Sequence, residues 1–177
     1  MRRITENIPG MIFRRGMRRP PLGEVITLRD AGFFDRGDEW TITRMPMVLV
    51  VEDSEAVAAA TKQYLEATSF AVSLAIDGQL AVRMARELKP DLILMDIQLP
   101  KLDGLEAIRQ IRACEALRST PIVVVTGFIS TEQIDQCRRA GADRFVAKPY
   151  RMADLVTTLR ELLGVDGGCT DALDWEI

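Results

Sequence analysis

Between Met47 and Gly164 five short apolar runs alternate with stretches of helical spacing, and few folds accept that order. The runs are "MVLVV" (47–51), "FAVSLAI" (70–76), "LILM" (92–95), "IVVV" (122–125) and the shorter "FVA" (145–147). Between them, residues recur every three or four positions. Val57, Thr61, Tyr64, Leu65 and Thr68 share one helical face, as do Leu80, Met84 and Leu88, and as do Leu155, Leu159 and Leu162. Asp103 precedes Glu106 by three residues and Ser130 precedes Gln133 by three, which predicts two capping boxes. Ile129 and Ile134 are placed for a hydrophobic staple, and Gly164 predicts a left-handed end to the last helix.

Five strands, each followed by a helix, make a (βα)5 unit of the α/β class. Strands that are apolar throughout suit a parallel sheet covered on both faces. Right-handed crossovers then favour a flavodoxin-like, doubly wound parallel sheet with strand order 2-1-3-4-5.

This unit occupies residues 46–164. Residues 1–45 carry nine arginines and six acids and read as an N-terminal extension, either disordered or upstream of the true start, since "MPMVLVVEDS" opens a domain at Met45 or Met47. Residues 165–177 form an acidic tail with four acids and no base, expected to fray. A net charge of −3 carries no global basic excess, so a nucleic-acid partner is not expected despite the basic "FRRGMRRPP". The three cysteines form no CxxC pair, which suits free thiols in a reducing compartment. No apolar run is long enough to span a membrane, and "MIF" is too short for a signal peptide, so a cytoplasmic protein is expected.

In open α/β sheets the site lies beyond the carboxyl ends of the strands, where strand order reverses. The first strand runs into Glu52-Asp53 and the third into Asp96. The fourth ends in Thr126, followed by Gly127, and the fifth in Lys148-Pro149. Three carboxylates, one hydroxyl and one ammonium thus reach one rim. Crowded carboxylates repel unless a cation neutralises them. A hard divalent ion suits all-oxygen ligands, and Mg²⁺ in particular takes one or two carboxylates plus waters and phosphate oxygens. Asp96 is then an aspartyl nucleophile, while the metal, Lys148 and the Thr126 hydroxyl stabilise charge on a transferred phosphoryl group.

Through "VLVVEDS", "DLILMDIQLPKLDG", "VVVTG" and "FVAKP", the chain resembles the response-regulator receiver domains of two-component signalling. The resemblance covers about residues 46–164. It implies that Asp96 is the phosphoacceptor, supplied by a histidine kinase or histidine phosphotransfer protein. It implies that Asp53, Asp96 and the backbone carbonyl of Gln98 bind Mg²⁺ directly, with Glu52 acting through water. Thr126 and Lys148 match the family's phosphoryl-contacting hydroxyl and lysine, and Lys148-Pro149 matches its cis peptide. A downstream protein would dock on the face formed by residues 130–163. Beyond its own phosphorylation and dephosphorylation, no enzymatic activity is expected.

Phe145 stands where many members carry tyrosine, so any switch there must work through packing alone. The chain has no histidine, so the phosphoryl group is expected from another molecule. A single-domain receiver without an output domain is expected. Three other readings fit less well, of which a non-phosphorylated scaffold or pseudo-receiver is disfavoured by the intact acidic triad, Thr126 and Lys148. A flavin phosphate would be repelled by Glu52-Asp53, and a haloacid-dehalogenase-type phosphatase needs a second aspartate where this chain has Gln98.

Overall fold

The computed structural model describes residues 25–27, 41–127 and 130–165. Its core is a parallel sheet of β1 (Met47–Val51), β2 (Ala71–Ala75), β3 (Leu92–Asp96), β4 (Ile122–Thr126) and β5 (Arg144–Ala147). The strands lie in the order β2-β1-β3-β4-β5, the doubly wound arrangement expected from right-handed crossovers. Five helices connect and follow them: α1 (Glu55–Ala67), α2 (Gly78–Leu88), α3 (Gly104–Arg112), α4 (Thr131–Ala140) and α5 (Met152–Leu163).

Alternation along the strands divides the interior into two cores. Leu49, Val51, Ile93, Met95, Ile122 and Val124 pack under α2, α3 and α4. Val48, Val50, Leu92, Leu94, Val123 and Val125 pack under α1 and α5. Strands β3 and β4 are buried along their whole length, which is why they read as unbroken apolar runs. Edge strand β2 has one neighbour and is mostly half-buried, and Ile76, the last residue of "FAVSLAI", is 56% exposed.

Helix faces follow the predicted periodicity with local shifts. On α1 the buried stripe is Ala58, Thr61 and Leu65, whereas Val57 and Tyr64 are exposed. On α2 the smaller Ala81, Val82 and Ala85 are buried, and Leu80 and Met84 flank them. Alanine at the contact lets the helix sit close to the sheet, so the larger side chains seal its margins. On α5 Leu155 and Leu159 are buried as expected, joined by Val156.

The caps divide similarly. Ser130 and Gln133 form the reciprocal box, at 3.2 Å and 3.1 Å. Ile129 lies outside the described residues, and its staple with it. Asp103 makes no side-chain cap, and the Glu106 carboxylate accepts from Arg109 and Gln110 rather than from the Asp103 amide. Gly164 ends α5 with φ of 62°, as expected.

Two features lie near the start of the core. Val25–Thr27 and Thr41–Thr43, both inside the extension, pair as an antiparallel ribbon. Arg44 donates from Nη2 to both oxygens of Asp91, at 2.6 Å and 2.7 Å, and Asp91 also accepts the Met47 amide at 2.8 Å. The fold therefore uses Arg44, which precedes the unit assigned from sequence.

The end of β3 meets the start of α3 closely. A methyl group added at Gly104 would collide with the Asp96 carbonyl oxygen and lie 2.8 Å from the Ile97 Cα. Gly104→Ala should therefore lower unfolding stability by about 1–3 kcal/mol. Gly127→Ala, whose methyl would meet nothing within 4 Å, should change it little. Urea unfolding of the two variants checks both values.

Candidate functional site

Register decides which side chains meet at the carboxyl ends of the strands. Val51 pairs with Met95, so the residues that follow, Glu52 and Asp96, stand level. Thr126 pairs with Ala147, so Lys148 lies one step further along the sheet edge. Side chains two positions apart share a face. Glu52, Asp96 and Lys148 follow Val50, Leu94 and Val146 onto the face under α1 and α5. Thr126 follows Ile122 and Val124 onto the opposite face, where Phe145 also packs.

The first group forms a compact bridge. Lys148 Nζ donates to Glu52 Oε2 at 2.7 Å and to Asp96 Oδ2 at 2.6 Å. The other Asp96 oxygen, Oδ1, accepts the Gln98 amide at 3.0 Å, and Glu52 Oε1 accepts the Ser54 amide at 3.4 Å. Glu52, Asp96 and Thr126 are each 8% exposed. Burial disfavours the Lys148 ammonium, but hydrogen bonds and charge attraction from Asp96 and Glu52 outweigh it and raise its pKa above the ordinary lysine value. The Lys148 amide donates to the Thr126 carbonyl at 2.9 Å, and the Lys148–Pro149 peptide is cis, as the resemblance implied.

Sequence reasoning placed six residues at this rim. The structure brings Glu52, Asp96 and Lys148 into direct contact and sets Thr126 beside them through the backbone. Asp53 and Gln98 stand at the edge with exposed side chains, and the Gln98 amide touches Asp96. Sequence reasoning did not single out Asp77 and Lys101, whose ion pair ties the loop that follows β3 to the start of α2. Asp77-Gly78 is a legible cap signal, but nothing local marks Lys101.

Among the described residues, no three Asp, Glu, His or Cys side chains stand close enough to hold a metal by themselves. Even so, the donor set fits a hard cation. Two buried carboxylates share one ammonium and Asp53 stands exposed at the same edge, which leaves negative charge over, and all the donors are oxygens. Mg²⁺ needs only one or two of them, with carbonyl, water and phosphate oxygens completing its shell.

The family description "Response regulator receiver domain" matches residues 48–160. The chain belongs to this family of two-component signalling. The transcriptional regulatory protein PrrA of Mycobacterium leprae is 38% identical over 118 residues, 67% of this chain, which spans half of that protein's length. The polar-differentiation response regulator DivK of Brucella anthropi is 33% identical over 66% of this chain and 95% of its own. Among solved structures, the receiver domain of sensor histidine kinase PA1611 from Pseudomonas aeruginosa is 36% identical with a TM-score of 0.65, over 68% of this chain and 99% of that one. That structure holds a magnesium ion coordinated in its active site cleft. The chemotaxis protein CheY4 of Vibrio cholerae is 28% identical, also with a TM-score of 0.65, over 67% of this chain and 99% of that one. No helix among the described residues of this receiver domain is long and apolar enough to cross a membrane.

The raised Lys148 pKa has a signed consequence for stability. The bridge contributes fully below the unfolded lysine value of 10.5 and is lost as pH rises through the higher folded value. Lys148→Met, which leaves two buried carboxylates without their cation, should be less stable than wild type at neutral pH. The gap should narrow as pH rises past about 10.5, where the lysine of the unfolded chain loses its proton first, and close once the folded Lys148 loses its own. Urea unfolding from neutral to alkaline pH reads it.

Proposed function

We propose that the receiver domain accepts a phosphoryl group on Asp96 from a histidine kinase or histidine phosphotransfer protein in the cytoplasm, and signals through protein–protein contacts. The Lys148 bridge between Glu52 and Asp96 supports this reading most directly. In it one ammonium lies within hydrogen-bonding distance of both the Asp96 and the Glu52 carboxylates.

An oxygen of Asp96 attacks phosphorus, and the phosphorus–nitrogen bond of the donor phosphohistidine breaks, its electron pair leaving on the imidazole nitrogen. Lys148 and the Gln98 amide each hold one Asp96 oxygen, which fixes the plane of the carboxylate before attack. The Lys148 ammonium and the Thr126 hydroxyl then take up oxygens of the transferred group. Asp53, Asp96 and the Gln98 carbonyl would hold Mg²⁺, with Glu52 acting through water, and the ion would supply charge neutralisation on those oxygens. The domain catalyses only its own phosphorylation and dephosphorylation.

In Mg²⁺ with acetyl phosphate as donor, the protein should gain one acid-stable, base-labile phosphoryl group, and Asp96→Asn should abolish it. Intact-mass measurement reads this, and undiminished labelling of the variant would overturn the assignment of Asp96.

The readout runs through the other face of the sheet. Phe145 is half-buried against the core under α4, and the Arg138 guanidinium lies over its ring, 5.9 Å from the centroid. Movement of the Thr126 hydroxyl toward a phosphoryl oxygen alters the packing beside Phe145 and reshapes the face of residues 130–163, where a target protein docks. Thr126→Ala should still accept phosphate, several-fold more slowly, while losing the change on that face. Amide NMR with and without beryllofluoride tests this. Shifts in the variant as large as those in wild type across residues 130–163 would sink the coupling.

A further inference from the structure

Lys101 adopts φ of 64°, a left-handed backbone that glycine takes readily and other residues rarely do. Its side chain crosses to another element, and Nζ donates to Asp77 Oδ2 at 2.6 Å. Asp77 is the N-cap of α2, and its other oxygen accepts the Leu80 amide at 2.7 Å. The carboxylate is buried, 3% exposed, so one acid serves both the first turn of α2 and the loop after β3. A second contact fixes the same junction: a Cβ at Gly78 would strike the Leu102 carbonyl.

The loop transmits this anchor toward the acceptor. The Leu102 amide donates to the Pro100 carbonyl at 2.7 Å, and those of Leu99 and Gly104 both donate to the Ile97 carbonyl at 3.0 Å. These turns lead to Gln98, whose amide holds Asp96 Oδ1. The loop is thus clamped at Asp96 by one hydrogen bond and at α2 by the Lys101 ion pair.

We propose that the Lys101–Asp77 ion pair is a positioning device for the acceptor loop, holding the Gln98 carbonyl and the Asp96 carboxylate in the arrangement that binds Mg²⁺. This rests on the phosphoacceptor reading and adds two residues to it, neither of which touches metal or phosphoryl group.

Lys101→Gly separates positioning from folding, because glycine keeps the left-handed backbone without strain while the ion pair is lost. Full-length wild type, Lys101→Gly and Lys101→Arg are titrated with Mg²⁺ alone, followed through the Gln98 and Asp96 amide resonances, and unfolded in urea. Lys101→Gly should unfold near the wild-type midpoint yet bind Mg²⁺ about fivefold more weakly, and Lys101→Arg should recover most of the loss. Removal of a positive charge by itself tightens cation binding, so the sign distinguishes positioning from bulk electrostatics. Mg²⁺ binding in Lys101→Gly equal to or tighter than wild type overturns the proposal while the phosphoacceptor reading stands. Wild type that takes no phosphoryl group on Asp96 overturns both.

Discussion

Two carboxylates held level at the ends of adjacent buried strands repel each other, and a single ammonium keeps them together. The arrangement at the sheet's carboxyl end depends on that bridge. Taking Glu52 and Asp96 out of water is costly, and Lys148 offsets the cost because it bonds both at once while backbone amides satisfy their remaining oxygens. Lys148 can do so because the last strand lies at the sheet edge and its chain continues past Thr126, whose carbonyl takes the Lys148 amide. Three strands and one turn therefore meet at one cation.

The two-core sheet puts the charged bridge on one face and Thr126 with Phe145 on the other. Glu52, Asp96 and Lys148 emerge on the side covered by α1 and α5, whereas Thr126 and Phe145 lie on the side covered by α4. Thr126 thus stands between a charged rim and an aromatic held under an arginine of α4. Phe145 has no hydroxyl to satisfy, so its placement is set by packing.

The opposite end of the sheet uses charge differently. Arg112 donates to the carbonyls of Gly141, Leu117 and Thr120 and to the Asp143 carboxylate, which also takes the Ile122 amide. Asp91 does the same for Arg44 and the Met47 amide. These ionic groups satisfy backbone at strand starts and leave no excess charge, which suits a structural end. The carboxyl end carries more acid than base, and that imbalance suits it to a cation and an anionic group.

The sequence by itself determined the class of fold, the strand order and the identity of the rim residues. Alternating apolar runs and helical spacing admit one economical wrapping, and the strand-end residues follow the runs directly. Period two also dictates that alternate residues of a strand share a face, although runs that are apolar throughout leave open which helices each face meets. Only the tertiary structure decided how the strands register, and hence that Lys148 reaches Glu52 and Asp96 while Asp53 stays outside the bridge. The shifted stripe on α1 and the left-handed Lys101 were likewise set by neighbours far along the chain. Asp77 lies 24 residues before Lys101, and Glu52 lies 96 before Lys148. Contacts of that separation leave no periodic trace in either segment, because each partner satisfies local rules equally well without the other.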